Sequence, residues 1–507
     1  TKFNKRFQNH IEILMLRKSA NLKLKDFEND LTYDIITRAQ NQKAINIILL
    51  SDNIISLVRK LITIISLILI LSQFEIWLML IVIIVPMFKS IYSIKIAKEQ
   101  YKINVNRTDK ERKAWYIDYL LSKGYAYKEI NIFGITKKLI NSYLSIKNAL
   151  IKQDIKIAKK NFVLELISVI IDAFIITSIM SYIIVKGFMK KILIGDAIVY
   201  IETIQSLSNN IESMFGLGSS LVNDLFYTEL LFQFLDYEVS NRLQDDTNSI
   251  ILNEIESIEL KNIYYKYNNN SYYTLKNINL KLERGKTIAI LGKNGSGKTS
   301  LTKIILGFYD DYEGDILING INLKNINKKW YKNQMSCLFQ DYIKYEATIG
   351  ENIAIGKGFS IGENYKVDKI VEEKILELLK KTNIKEEIYK EKGIDTILGN
   401  WFGKKQLSIG EWQRIAICRT MIKEAQMYIL DEPDSSLDLE ASKQLILLYK
   451  KIFKDKIGIF ITHDISLAKL ITDKIIVLEN GEIKECGNHE NLMKKKGAYY
   501  DLFTVFN

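Results

Sequence analysis

The chain has 507 residues, a net charge of +12, 48% apolar residues, two prolines and three cysteines. Its length predicts roughly two to four domains, and Cys337, Cys418 and Cys486 have neither disulfide-framework nor metal-site spacing, so they read as reduced thiols. Basic residues bracket apolar runs (Lys18, Lys23, Lys25, Lys95, Lys98, Lys102, Arg107, Lys156, Lys159, Lys160), which argues against a nucleic-acid partner and for a membrane surface.

The first apolar tract covers residues 53–93 and is broken at Ser72-Gln73-Phe74-Glu75. Two helices of roughly 20 residues fit there, each long enough to span a bilayer. A second pair follows at 162–185 and 192–213, divided by a turn at 187–191. An all-α bundle of about four spanning helices is therefore expected. Between the tracts, residues 94–161 are charged yet keep a helical apolar period through Ile117, Leu121, Ile130, Phe133, Leu139 and Leu144. That pattern predicts helices reaching well into the cytoplasm. Asp172, Asp196 and Glu202 fall within the second tract. Acids there are costly, and either contact with a cationic cargo or pairing with Arg59 or Lys60 accounts for them.

A polar stretch at 239–253 separates a transmembrane domain (1–238) from a C-terminal domain (254–507). Apolar β-like runs at 258–265, 287–291, 427–430, 457–462 and 474–478 alternate with helical segments, the pattern of an α/β nucleotide-binding domain.

Gly292-Lys293-Asn294-Gly295-Ser296-Gly297-Lys298-Thr299 follows one of these strands and opens a helix at 298–306 that includes Ser300. Its glycines let backbone N–H groups face phosphate oxygens at a helix N-terminus. Lys298 is placed to reach the β- and γ-phosphates of ATP, and Thr299 to ligate Mg²⁺. Tyr428-Ile429-Leu430-Asp431 is an apolar strand ending in an acid suited to hold Mg²⁺, and Glu432 follows as a candidate general base. His463 ends the next strand, in position to orient the attacking water. Ahead of the acid pair lies Leu407-Ser408-Ile409-Gly410-Glu411, a Ser-x-Gly turn opening a short helix.

In this order the motifs resemble those of an ATP-binding-cassette exporter half-transporter, a type I exporter-like membrane bundle followed by a P-loop ATPase with a helical subdomain. The resemblance covers essentially the whole chain. It implies that Tyr267 stacks on adenine and that Gln340 touches Mg²⁺. It also implies that Leu407, Ser408, Ile409, Gly410 and Glu411, with Asp438 in Ser435-Ser436-Leu437-Asp438, contact the ATP of a second subunit. Ile409 and Glu411 depart from the family's Gly and Gln, and Asn400 stands where many exporters carry an acid. Residues 126–134 resemble the second coupling helix. Residues 25–29, with Tyr33 and Asp34, resemble the first. Family exporters have six spanning helices per half, so the first two, with any N-terminal peptidase domain, are expected to precede Thr1.

Residues 339–346 and 398–414 are similar to exporters of lantibiotics and related bacteriocin peptides. The expected function is ATP-driven export of a modified peptide across a bacterial cytoplasmic membrane by a dimer, homodimeric by default with a heterodimer as alternative. Lipid or multidrug export is the rival cargo class. A membrane-tethered regulatory or immunity ATPase is the rival of another kind. A soluble cassette acting on ribosomes is opposed by the apolar tracts.

Overall fold

The computed structural model describes residues 2–29, 32, 36, 45–73, 77, 83, 91–92, 95–96, 98–100, 102–103, 106–237, 249–267, 270–362, 366–399, 402, 405–433 and 439–506. Two compact units emerge. One comprises Thr1–Asn21 and Asp30–Val239, the other Leu22–Asn29 and Ser240–Asn507.

The described helices begin with α1 (Lys2–Asn21), α2 (Leu24–Phe27), α3 (Ile45–Ser72), α4 (Thr108–Ser122), α5 (Tyr127–Ile132), α6 (Thr136–Phe188) and α7 (Ile194–Asp236). All but α2 belong to the first unit. With 53 residues, α6 is about 80 Å long at 1.5 Å per residue. Its N-terminal half is lysine-rich and its C-terminal half apolar, as expected of a helix that leaves a membrane. Among the described residues, Ile47–Ser72 and Thr136–Phe188 are long and apolar enough to cross a bilayer. Ile64 and Leu71 of α3, Ile179 and Ile183 of α6, and Ile204, Leu207 and Ile211 of α7 form the core.

The turn expected at 187–191 is present, because α6 ends at Phe188 and α7 starts at Ile194. The break at Ser72 also holds, but most of the helix expected after it lies outside the described residues. The apolar stripe read over 94–161 fares differently. Ile130 is buried, whereas Phe133 and Leu144 are exposed. Periodicity reports the helix and not what covers its face. Lys60 Nζ donates to Asn210 Oδ1 at 2.9 Å, while Asp196 and Glu202 are exposed.

In the second unit, β1 (Ser257–Tyr265), β2 (Leu275–Glu283), β3 (Thr287–Leu291), β4 (Glu313–Ile318), β5 (Ile321–Asn322), β6 (Met335–Leu338), β7 (Met427–Asp431), β8 (Ile457–Ile461), β9 (Lys474–Glu479) and β10 (Glu482–Gly487) form two sheets. One is four-stranded, in the order β2-β1-β4-β5, and its pairs are antiparallel. The other is six-stranded, in the order β10-β9-β3-β8-β7-β6, and is parallel except for the β10–β9 pair. Every residue of β3, β7 and β8 is buried, which is why these strands are nearly continuous apolar runs.

Helices α8 (Lys298–Ile305), α9 (Lys328–Asn333), α10 (Ile349–Ala354), α11 (Lys369–Lys381), α12 (Ile409–Ile422), α13 (Leu439–Phe453), α14 (Ile465–Ile471), α15 (His489–Lys495) and α16 (Ala498–Phe506) complete this unit. Ile353, Ile375, Leu379, Ile415 and Cys418 join α10, α11 and α12 in a separate core, the helical subdomain. Segment Leu22–Asn29, with α2 inside it, belongs to this unit and buries Leu22 and Asp26.

Candidate functional site

Parallel pairing decides where the chemistry collects. β3, β8, β7 and β6 lie side by side and run the same way, so the segments leaving their C-terminal ends share one edge. Those segments carry Gly292 after β3, His463 after β8, Asp431 and Glu432 at the end of β7, and Gln340 after β6.

The loop after β3 needs glycine for steric reasons. Gly292 adopts φ +155°, and a Cβ there would collide with the Leu478 carbonyl oxygen. At Gly297, with φ +105°, a Cβ would lie 2.8 Å from Leu275 Cδ2. Lys298 Nζ donates to the carbonyls of Gly292 at 2.8 Å and Lys293 at 3.2 Å, folded over its own loop. Burial lowers its pKa, opposed by the charges of Glu432 and Asp431. Ser296 Oγ is buried without a partner. An orphaned hydroxyl beside a buried ammonium suits an anion of several oxygens. Thr299 is exposed beside them, Ser300 is buried, and Asn294 and Gly295 form the exposed turn.

Glu432 is held on both oxygens. Gln340 Nε2 donates to Oε2 at 2.7 Å, and His463 Nε2 lies 2.9 Å from Oε1. Its backbone has φ +48°, its N–H donates to the Ile461 carbonyl at 2.9 Å, and its own carbonyl accepts from Gln413 Nε2 at 3.2 Å. Asp431 beside it is buried. Burial first, then the Glu432 charge, push its carboxyl up to about 6 against the pull of Lys298. This edge brings together a loop able to cradle phosphates, a buried acid whose charged form a cation would stabilise, and a carboxylate held where it could polarise water.

Tyr267 reaches the same helix from another side. Its hydroxyl and Ser300 Oγ are 2.9 Å apart, and its ring stands edge-on to Tyr265. The residues at 407–411 do not join this cluster. Ser408 caps α12 in a reciprocal box with Glu411: its N–H and Oγ donate to Glu411 Oε2 at 2.8 and 2.9 Å, and Glu411 N–H returns a bond to Oγ at 3.3 Å. Ile409 is exposed, and Leu407 and Gly410 are half-buried. Ser435, Ser436, Leu437, Asp438, Asn400, Tyr33 and Asp34 lie outside the described residues.

Two contacts were not foreseen. Gln413 steadies the Glu432 carbonyl, and Tyr342 Oη donates to the Ile409 carbonyl at 3.0 Å. A glutamine set in the buried stripe of an apolar helix is the signal that could have found the first.

Comparison with known proteins adds the lineage. Residues 275–435 match the family described as ABC transporter. The chain is 36% identical to the subtilin transport ATP-binding protein SpaT of Bacillus subtilis, over 98% of this chain and 80% of that protein. It is 31% identical to the nisin transport ATP-binding protein NisT of Lactococcus lactis, over 99% of this chain and 82% of the relative. The fold also matches the structure of a bacterial Atm1-family ABC exporter with ATP bound, at a TM-score of 0.84 and 21% identity, covering 99% of this chain and 86% of that one.

Proposed function

Because this chain belongs to the ATP-binding-cassette transporter family and has the exporter fold, we propose that its ATPase unit drives export of a modified peptide of the lantibiotic type. Coupling of ATP hydrolysis to transport comes with the family. The peptide cargo is our reading, and it is supported by similarity to subtilin and nisin transport proteins along nearly the whole chain. The expected setting is a bacterial cytoplasmic membrane, with the ATPase unit on the cytoplasmic side.

One observation carries the assignment of chemistry: the Glu432 carboxylate is clamped between Gln340 and His463 at the sheet edge that holds the P-loop. In that position it accepts a proton from a water aligned on the γ-phosphorus, while His463 orients that water. Gly292, Asn294, Gly295, Ser296, Gly297 and Lys298 would cradle the phosphates, and Tyr267 would receive the adenine. Ser408, Gly410 and their neighbours would complete the ATP site of a second copy in a dimer, with a heterodimer as the alternative assembly.

The residues present fit Mg²⁺. Thr299, Gln340 and Asp431 offer hard oxygen donors, and the raised Asp431 carboxyl is the acid a divalent cation would relieve. Among the described residues no group of three or more His, Cys, Asp or Glu could hold a metal, so phosphates and water would supply the other ligands. When bound, Mg²⁺ neutralises charge on the transferring phosphoryl group.

Reconstitution in vesicles tests the function. ATP-dependent accumulation of a thioether-bridged precursor peptide is expected, and Glu432→Gln should abolish it while ATP still binds. Accumulation of a lipid or a hydrophobic dye in place of the peptide would move the cargo to that class. Peptide export continuing unchanged in the Glu432→Gln protein would show that hydrolysis at this site does not drive transport.

A further inference from the structure

Segment Leu22–Asn29 is bound to the second unit by more than proximity. Lys23 Nζ meets Asp310 Oδ2 at 2.5 Å, and Lys25 Nζ lies 3.9 Å from Asp311 Oδ2. At the end of the segment, Glu28 accepts from Tyr309 Oη with 2.9 Å to each carboxylate oxygen, and Lys303 Nζ is 3.3 Å away. Tyr309 is fully buried. Burial first, then the bond to Glu28, raise its phenol far above the ordinary range, so the hydroxyl is the donor.

Tyr309 does not stop at Glu28. Its ring stacks on Tyr265 with centroids 5.0 Å apart and stands edge-on to Tyr267 at 5.8 Å. Tyr267 in turn packs edge-on against Tyr265 at 5.2 Å and shares a 2.9 Å hydrogen bond with Ser300 of the P-loop helix. Three rings thus form one cluster, with Glu28 gripping one side and Tyr267 bonded to Ser300 of the P-loop helix on the other. Edge-on and stacked contacts fix ring orientation as well as burying area, and a charge-assisted hydrogen bond to a carboxylate is about twice as strong as a neutral one.

We propose that Tyr309 is a positioning residue for adenine: gripped by Glu28, it holds the Tyr267 ring in the pose that receives the base, so ATP affinity depends on the seating of segment Leu22–Asn29. This rests on the reading of Tyr267 as the adenine platform. Both ends of the segment continue into chain of the first unit, so the grip on Tyr309 is a point at which strain along the chain would alter base binding before it altered the phosphate cradle.

The test is steady-state ATPase kinetics on the detergent-solubilised full chain. Tyr309→Phe keeps the ring and removes the hydroxyl. It should raise KM for ATP three- to tenfold, with less than a twofold change in kcat. Glu28→Ala should give the same shift without touching the aromatic cluster, and the double variant should show no more than either alone. Inorganic tripolyphosphate has the phosphates but no base, so its inhibition constant should match between wild type and Tyr309→Phe. In a Tyr267→Ala background, Tyr309→Phe should add nothing to KM. A fall in kcat at constant KM would overturn the proposal, as would an equal shift in the tripolyphosphate constant or a KM effect that survives Tyr267→Ala. If Tyr267→Ala alone leaves KM for ATP unchanged, the adenine platform itself is wrong and the proposal falls with it.

Discussion

Asp431 is held in a place that suits its charged form poorly, and that has a measurable cost. Burial first, and the neighbouring Glu432 charge second, raise its carboxyl from the ordinary 3.8 to about 6. Below pH 3.8 the group is protonated whether the domain is folded or not, and no cost arises. Between pH 3.8 and about 6 the unfolded chain releases the proton and the folded domain keeps it, so stability falls as pH rises; above about 6 the full cost is present. A shift of about two units at 1.36 kcal/mol each amounts to roughly 3 kcal/mol. Asp431→Asn removes the titration. In the metal- and nucleotide-free protein, its ATPase unit should therefore melt about 5–10 °C above wild type at pH 7. Calorimetry from pH 4 to 8 reads the difference, which should shrink toward zero at the acid end. Mg²⁺ with ATP should raise the wild-type transition far more than that of the variant. If Asp431→Asn is no more stable at pH 7, or its advantage is the same at every pH, the burial argument fails.

Three further outcomes follow from the geometry. Gly292→Ala drives a methyl into the Leu478 carbonyl at a positive φ, and should cost on the order of 2–4 kcal/mol and abolish photolabelling by an azido-ATP. Glu411→Ala removes the acceptor of the Ser408 N–H and hydroxyl; a loss of about 1 kcal/mol is expected by thermal unfolding, whereas Glu411→Gln, which can still accept, should retain most of it. Gln413→Ala leaves the Glu432 carbonyl without its side-chain donor, and a fall in kcat of about tenfold with little change in KM is expected from a slightly misplaced carboxylate.

Much of the ATPase unit was legible because its strands are short apolar runs ending in chemically distinctive residues. β3, β7 and β8 lie where 287–291, 427–430 and 457–462 were read. β6 escaped because four residues that include Ser336 and Cys337 carry little pattern, and half-exposed β10 mixes Glu and Lys with its apolar positions. The clamp on Glu432 was not legible. Gln340, Glu432 and His463 are far apart in sequence, and only the order β8-β7-β6 makes them neighbours. Glu411 shows the opposite case: read as a departure from a family pattern, it also completes a Ser-x-x-Glu capping box that local rules predict. The Glu28–Tyr309 bond joins positions 281 residues apart, a separation over which no local signal operates.

The backbone at Glu432 carries a last implication. Among the described residues, most non-glycine residues at positive φ are asparagines (Asn262, Asn277, Asn319, Asn383 and Asn480), but Glu432 is there too at +48°. A left-handed conformation costs a side-chain-bearing residue roughly 1–2 kcal/mol that glycine avoids. Glu432→Gly should relieve that backbone cost while giving up the contacts with Gln340 and His463. On the proposed role of Glu432 as general base, residue 432 is the place where the interests of the fold and of the reaction diverge.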